Sequence, residues 1–196
     1  MANARDIRLK SDYENLLRLA VGSGGTLSIA STKGHPPDEY VLVYRCRSVE
    51  ALSKGYPVYR DVHRVAIKLP AKYPAPFAPP IVKMLTPIYH PHVYKNLMVC
   101  MGDWQTSEYL DDFALRMGAL LQFQKEFFDI RDPANEEAVD WARKNLLLFP
   151  TDDRTFHGDI LRAEEDAPPA GLGIFRETTG QDKLPNEEWI VEWKDL

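Results

Sequence analysis

Residues 70–80 run Pro70-Ala71-Lys72-Tyr73-Pro74-Ala75-Pro76-Phe77-Ala78-Pro79-Pro80, five prolines in eleven positions. Each proline fixes φ and removes a backbone donor, which bars the stretch from a helix interior and from a central strand. A rigid extended loop must cross the middle of the chain, and regular structure has to be built on either side of it. Before the loop, Tyr40–Arg47 alternates Tyr40, Leu42, Tyr44 and Cys46 against Val41, Val43, Arg45 and Arg47. Val62–Leu69 likewise sets Val65, Ile67 and Leu69 against Arg64 and Lys68. With the short apolar run Thr26–Ser31 and, beyond the loop, Ile81–Leu85, the pattern predicts four strands. Their connections hold no long helix, so the strands form an antiparallel meander rather than a βαβ sheet.

Ile7, Leu9, Tyr13, Leu16, Leu17 and Leu19 recur at helical spacings through Arg5–Ala20, and Gly22-Ser23-Gly24-Gly25 stops the run. This opening helix covers one face of the sheet. A second helix is expected over Leu110–Phe128, where Asp111 and Asp112 suit an N-terminus. Asp132-Pro133-Ala134-Asn135-Glu136-Glu137 reads as a cap with proline in the first helical position, leading into a third helix that ends at Lys144. The fold class is α+β. Between Pro87 and Tyr109 no periodicity survives, and long irregular segments in small domains usually carry function.

A chain of 196 residues supports one domain, here 1–150, with an appendage, here 151–196. From Asp152 onward twelve acids face five bases, a balance of −7, while the rest of the chain is at +2. No dense basic stripe exists, which excludes nucleic acid as the expected partner. No apolar run approaches the ~18 residues needed to cross a bilayer, so no membrane partner is expected either. Two cysteines, Cys46 and Cys100, and opening residues without a charged-then-apolar leader predict a protein of the reducing cytoplasm. The extension contains Trp189-Ile190-Val191-Glu192-Trp193 and reads equally as a loose acidic tail or as an added hairpin or docking strand.

Within the irregular segment Cys100 follows His90 and His92 by ten and eight residues. Spacing alone leaves three readings open: a nucleophile, a metal ligand, or a small buried hydrophobe. A zinc site from these three lacks an evident fourth ligand. Cys46, on the apolar face of a predicted strand, reads as a core thiol, and Trp141 as a core side chain. Arg5, Arg8, Lys10 and Arg18 on the first helix read as a solvated face.

The run Thr86-Pro87-Ile88-Tyr89-His90-Pro91-His92-Val93-Tyr94, with Cys100 ten residues after the first histidine, resembles the active-site segment T-x-I-Y-H-P-N-V-Y…C of the ubiquitin-conjugating (E2) enzymes. Leu69-Pro70-Ala71-Lys72-Tyr73-Pro74 is similar to that family's F-P-x-x-Y-P. Pro79-Pro80, Trp104 and Asp132-Pro133-Ala134 match further family signatures. The resemblance covers Arg5 to about Asn145. It implies the E2 (UBC) fold: an N-terminal helix, a four-stranded antiparallel meander and two C-terminal helices, here with an acidic extension.

What the resemblance implies chemically is a transferase without metal or organic cofactor. Cys100 would accept ubiquitin or a ubiquitin-like protein as a thioester from an E1-like activating enzyme, which in the family meets helix 1, and pass it to an amine of a target protein. A lysine of pKa about 10.4 is protonated at pH 7, so Asp132 would orient and deprotonate it while Tyr94 desolvates the groove. His92 stands where the family has an asparagine and would stabilise the oxyanion or its loop. His90, with Pro91, would brace the turn, and Trp104 would be structural. Trp104 follows Cys100 by four residues where the family has about eight, and four residues separate Tyr73-Pro74 from Pro79-Pro80 where two are common. These departures describe an outlying member, by analogy one from a prokaryotic ubiquitin-like conjugation operon of the phage-defence kind. The rivals are an idle E2-like module that only binds a ubiquitin-like protein, and a cysteine hydrolase.

Overall fold

In the computed structural model, residues 3–128, 131–157 and 193 are described. Helix α1 spans Ala4–Gly22 and starts where the Asn3 side chain accepts the Asp6 N–H at 2.8 Å. Strands β1 (Leu27–Gly34), β2 (Pro37–Tyr44), β5 (His63–Lys68) and β6 (Ile81–Met84) form one antiparallel sheet in the order β1-β2-β5-β6. The register pairs Leu27 with Tyr44, Leu42 with Val65, Tyr40 with Ile67 and Val65 with Met84. Since side chains alternate across a strand, this places Val41 and Val43 on one face and Leu27, Tyr40, Leu42, Tyr44, Val65, Ile67, Val82 and Met84 on the other. There they share a core with Leu9 and Leu16 of α1 and with Leu110, Phe113, Met117 and Leu121 of α2 (Leu110–Leu121). Each such buried side chain contributes roughly 1.5–3 kcal/mol of transfer free energy. Cys46 lies in this core, and burial pushes its thiol up to about 12. Among the described residues no helix is long and apolar enough to cross a membrane.

The four expected strands are present, but the link between the second and third is more than a connection. It holds a separate hairpin, β3 (Ser48–Ser53) with β4 (Tyr56–Arg60). Its two-residue turn places Lys54 at φ 52 and Gly55 at φ 84, the left-handed pair that a tight hairpin requires and that glycine favours. That Lys-Gly pair was the available sequence signal. The second helix is also shorter than its apolar pattern predicts, ending at Leu121 rather than Phe128. Phe123 adopts φ 56 and buries its ring between His90, at 4.3 Å, and Phe149, at 4.6 Å. Tertiary burial overrides helical propensity there. Helix α3 spans Glu136–Lys144 and its cap is Asn135, whose side chain accepts the Ala138 N–H at 3.2 Å. Asp132 and Pro133, expected to cap it, precede the helix in a bend.

Residues 151–157, which the charge balance assigns to the extension, lie against this body. Thr151 N–H donates to the Gln122 carbonyl at 2.8 Å, and the Thr26 hydroxyl to the Thr155 carbonyl at 3.0 Å. Phe156 is buried edge-on against Tyr44. A Cβ on Gly118 of α2 would sit 2.5 Å from the Phe156 ring, so only glycine lets that ring seat. The expected tail, hairpin or docking strand of the extension lies outside the described residues, Trp193 excepted.

Two of the four basic residues of α1 are not a solvated face. Arg5 donates to Asp38 at 3.1 Å and to the Leu69 and Pro70 carbonyls. The Arg8 Nε–H is shared between both oxygens of the fully buried Asp12, at 3.0 Å from each. Asp12 also accepts the Tyr73 hydroxyl at 2.8 Å and the Leu110 N–H at 3.0 Å. Burial still raises its carboxyl above the ordinary value, against the pull of those three partners. Removing one member of a buried pair strands the other. Asp12→Ala is therefore expected to cost about 3–5 kcal/mol in urea-unfolding free energy, and a loss below ~1 kcal/mol would show that the network contributes little.

Candidate active site

The cysteine run is built onto the edge of the sheet. Val99 N–H donates to the Val82 carbonyl and Met84 N–H to the Leu97 carbonyl, both at 2.9 Å, so Leu97–Val99 adds a short rung to β6. The same run turns back on itself. Tyr94 N–H donates to the Met98 carbonyl at 2.9 Å, Val93 bridges Val99, and Cys100 N–H donates to the His92 carbonyl at 2.8 Å. Leu97, at φ 68, closes the turn. In such a ribbon directly opposed residues share a face. His92, Tyr94, Met98 and Cys100 therefore fall on one side, with Val93 and Val99 on the other.

His90 fixes the start of the ribbon. It is fully buried, and its Nδ1 accepts the His92 N–H at 3.1 Å. Burial first, then the neighbouring His92, hold its imidazole well below the ordinary value, against the Leu120 carbonyl. His90 is thus neutral with its proton on Nε2. Pro91 is buried, and its carbonyl accepts the Asn135 N–H at 3.0 Å. Asn135 is also the cap of α3, so one residue ties the Asp132-Pro133-Ala134 segment to the His-Pro turn.

His92 Nδ1 lies 2.5 Å from the Cys100 carbonyl. Two hydrogen bonds therefore run between residues 92 and 100, one in each direction. Burial, then the Arg116 charge, lower the His92 pKa, with the Cys100 carbonyl opposing. The neutral ring donates from Nδ1, which leaves Nε2 as a lone-pair nitrogen. Cys100 itself is half-buried. The Tyr94 side chain is 47% exposed, and its hydroxyl interacts with the Cys100 thiol. Cys100, then partial burial, then Asp132 raise the Tyr94 pKa. Asp132 is exposed and close enough to act on that phenol.

Cys100, His92, Tyr94 and Asp132 are thus gathered at one place, with His90 and Pro91 beneath them. Trp104 belongs to a different contact. Its Nε1–H donates to the Ala75 carbonyl at 3.2 Å, and its ring lies 5.6 Å from Tyr73, so it clamps the proline-rich loop. Among the described residues no group of three or more His, Cys, Asp or Glu side chains is placed to hold a metal. Sequence reading placed Asn135 only within the cap segment Asp132–Glu137, and it missed Arg116, whose one signal was a lone arginine inside the otherwise apolar run Phe113–Leu121.

The family model for ubiquitin-conjugating enzymes matches residues 49–152, more than half of the chain, and spans this whole constellation. The chain belongs to the ubiquitin-conjugating enzyme family. Its fold is similar to that of a protein from Trypanosoma cruzi provisionally named a ubiquitin conjugating enzyme, with a TM-score of 0.53 and 20% identity over 77% of this chain and 96% of that one. Human ubiquitin-conjugating enzyme E2 G1 is also similar, with a TM-score of 0.45 and 19% identity over 59% of this chain and 95% of that one. No curated protein matches the sequence. The N-terminal helix, four-stranded antiparallel sheet and later helices are the UBC fold of ubiquitin-conjugating enzymes.

Three histidines of this ubiquitin-conjugating family member are buried and neutral. His63, at the start of β5, is held down to about 4 by burial, and His90 and His92 are lowered too. Each binds a proton in the unfolded chain near pH 6.5 but not in the folded one, so stability is complete above pH 6.5 and falls as pH drops below it. For His63 the loss ends near pH 4 and amounts to about 3 kcal/mol. Urea titrations at pH 7.5, 6 and 5 should show a progressive fall, and a pH-independent midpoint would contradict neutral burial.

Proposed function

We propose that this protein carries ubiquitin or a ubiquitin-like protein as a thioester on Cys100 and transfers it to an amine of a target protein. The observation that carries this reading is the half-buried Cys100 with the Tyr94 hydroxyl at its thiol and Asp132 within electrostatic reach of that phenol. In the loading step the Cys100 sulfur attacks the carbonyl of the E1-bound thioester. The E1 sulfur leaves with the proton that Cys100 gives up. In the discharge step the amine attacks the same carbonyl, the carbon–sulfur bond breaks, and Cys100 departs as thiolate. The proton shed by the amine passes to Asp132 or through it to water.

Each side chain has a distinct part. Asp132, exposed to solvent, attracts the ammonium and takes its proton, while Tyr94 excludes water from one side. His92 holds the Cys100 loop and does not donate to the oxyanion, because its one N–H is spent on the Cys100 carbonyl. No metal or organic cofactor takes part. The E1 docks on α1 through Lys10 and Arg18 and the exposed Ile7, Leu17 and Val21, since Arg5 and Arg8 are engaged within the protein. The setting is a cytoplasmic, prokaryotic ubiquitin-like conjugation pathway with an antiphage role.

Incubation with a ubiquitin-like protein, its E1 and ATP should give a reductant-sensitive adduct on non-reducing electrophoresis. Cys100→Ser should give a reductant-resistant ester or nothing. Absence of any adduct with cognate partners is the result expected of an idle binding module. Asp132→Ala should slow discharge to free lysine by about 10–100-fold near pH 7 and be partly rescued above pH 9, where lysine supplies its own free amine. A defect of equal size at every pH would reassign Asp132 to packing.

A further inference from the structure

Between Cys100 and α2 the backbone passes through Met101–Tyr109 without a helix or strand of its own. Its shape is set by side chains from two helices. From α1, Arg8 donates to the Thr106 carbonyl at 2.8 Å and to the Glu108 carbonyl. From α2, Arg116 forks onto both Glu108 carboxylate oxygens at 2.8 Å each, through Nε and Nη2. Its Nη1 donates to the carbonyl of Met101, the residue directly after Cys100. The guanidinium lies 5.1 Å from the Phe113 ring, and the side chains of Arg116 and Glu108 are 23% and 17% exposed. Two parallel bonds on a planar fork fix direction as well as distance, which a lysine cannot do.

We infer that Arg116, oriented by Glu108, is a positioning residue for the Cys100 acyl centre, fixing the backbone on its C-terminal side while His92 fixes the other. The placement itself stands on the geometry, and its effect on transfer rests on the thioester reading above. The same guanidinium lies within electrostatic reach of His92, whose ring otherwise meets the Cys100 carbonyl and the rings of His90, at 5.8 Å, and Phe127, at 5.9 Å. Arg116 thus acts on Cys100 in two ways, by a hydrogen bond to the adjoining peptide and by a charge that adds to burial in lowering the His92 pKa. Reaction needs the attacking amine and the thioester carbonyl in near-attack geometry, so looseness at this peptide slows transfer.

Two sets of measurements on the full chain test this. In unloaded protein, Arg116→Gln should raise the His92 ring pKa followed by NMR and speed Cys100 amide exchange about tenfold, with Val65 exchange unchanged. Arg116→Lys should restore the ring pKa, because the charge returns, but not the amide protection, because the fork does not. In single-turnover discharge of the preloaded thioester, both variants should fall about tenfold in maximal rate with the amine concentration dependence unchanged. Glu108→Gln, which keeps Arg116 but loosens it, should give the same pattern in weaker form and serves if Arg116→Gln does not fold. Wild-type exchange at Cys100 in Arg116→Gln and Glu108→Gln would overturn the inference, as would wild-type discharge rates in both. A wild-type chain that never loads would instead sink the thioester reading, with the exchange arm still deciding the placement.

Discussion

A single carboxylate, that of Asp12, joins four parts of this protein. It sits on the inward stripe of α1 between Leu9 and Leu16 and is wholly withdrawn from water. Its partners come from α1 itself, from the proline-rich loop through Tyr73, and from the first residue of α2 through the Leu110 N–H. Arg8, its counter-ion, reaches on to the loop after Cys100. A buried ion pair of this kind gives little net stability, because desolvation offsets most of the attraction. What it confers is geometry: four segments without mutual regular hydrogen bonding are held in one arrangement, and each departure leaves an uncompensated charge or donor.

That arrangement was only partly legible in the sequence. The strands of the main sheet follow from strict alternation, as at Val65, Ile67 and Leu69, because a half-buried strand leaves little freedom in its pattern. The grouping around Cys100 was legible through a linear motif, since His90, His92, Tyr94 and Cys100 lie on one short ribbon and their spacing is their geometry. Asp12 was a visible anomaly, an acid on an apolar stripe, yet nothing local names its partners 61 and 98 residues away. Phe123 reads as a helix residue until His90 and Phe149 are seen on either side of it. The β3–β4 hairpin was missed because its two strands pack mixed side chains, leaving only the Lys54-Gly55 turn as a signal.

The exchange of asparagine for His92 within the familiar motif has a physical reading. An amide side chain carries both donor and acceptor at its tip, whereas a neutral imidazole must choose which nitrogen holds the proton. Here the Cys100 carbonyl makes that choice, drawing the proton to Nδ1. The ring then acts as a strut between two backbone segments. Burial and the Arg116 charge both resist a second proton, so the strut keeps one hydrogen-bonding state through the neutral pH range. The price is that the ring has no donor left for an oxyanion.

The segment after Cys100 shows how a trimmed loop is kept rigid. Shortening lowers the entropy of closing a loop only slightly, but it removes the residues that would satisfy the backbone carbonyls left behind. Carbonyls left without a regular partner need donors, and here the donors arrive from outside the loop. Arg8 serves Thr106 and Glu108, and Arg116 serves Met101. A guanidinium offers five N–H groups in a fixed plane, so two arginines can order several peptides at once with little entropy lost per bond. Because both arginines are locked by carboxylates, Asp12 and Glu108, the loop inherits the rigidity of α1 and α2. Cys100 thereby sits on irregular, half-exposed backbone whose neighbouring peptides are tied on one side to Arg116 of α2 and on the other to His92.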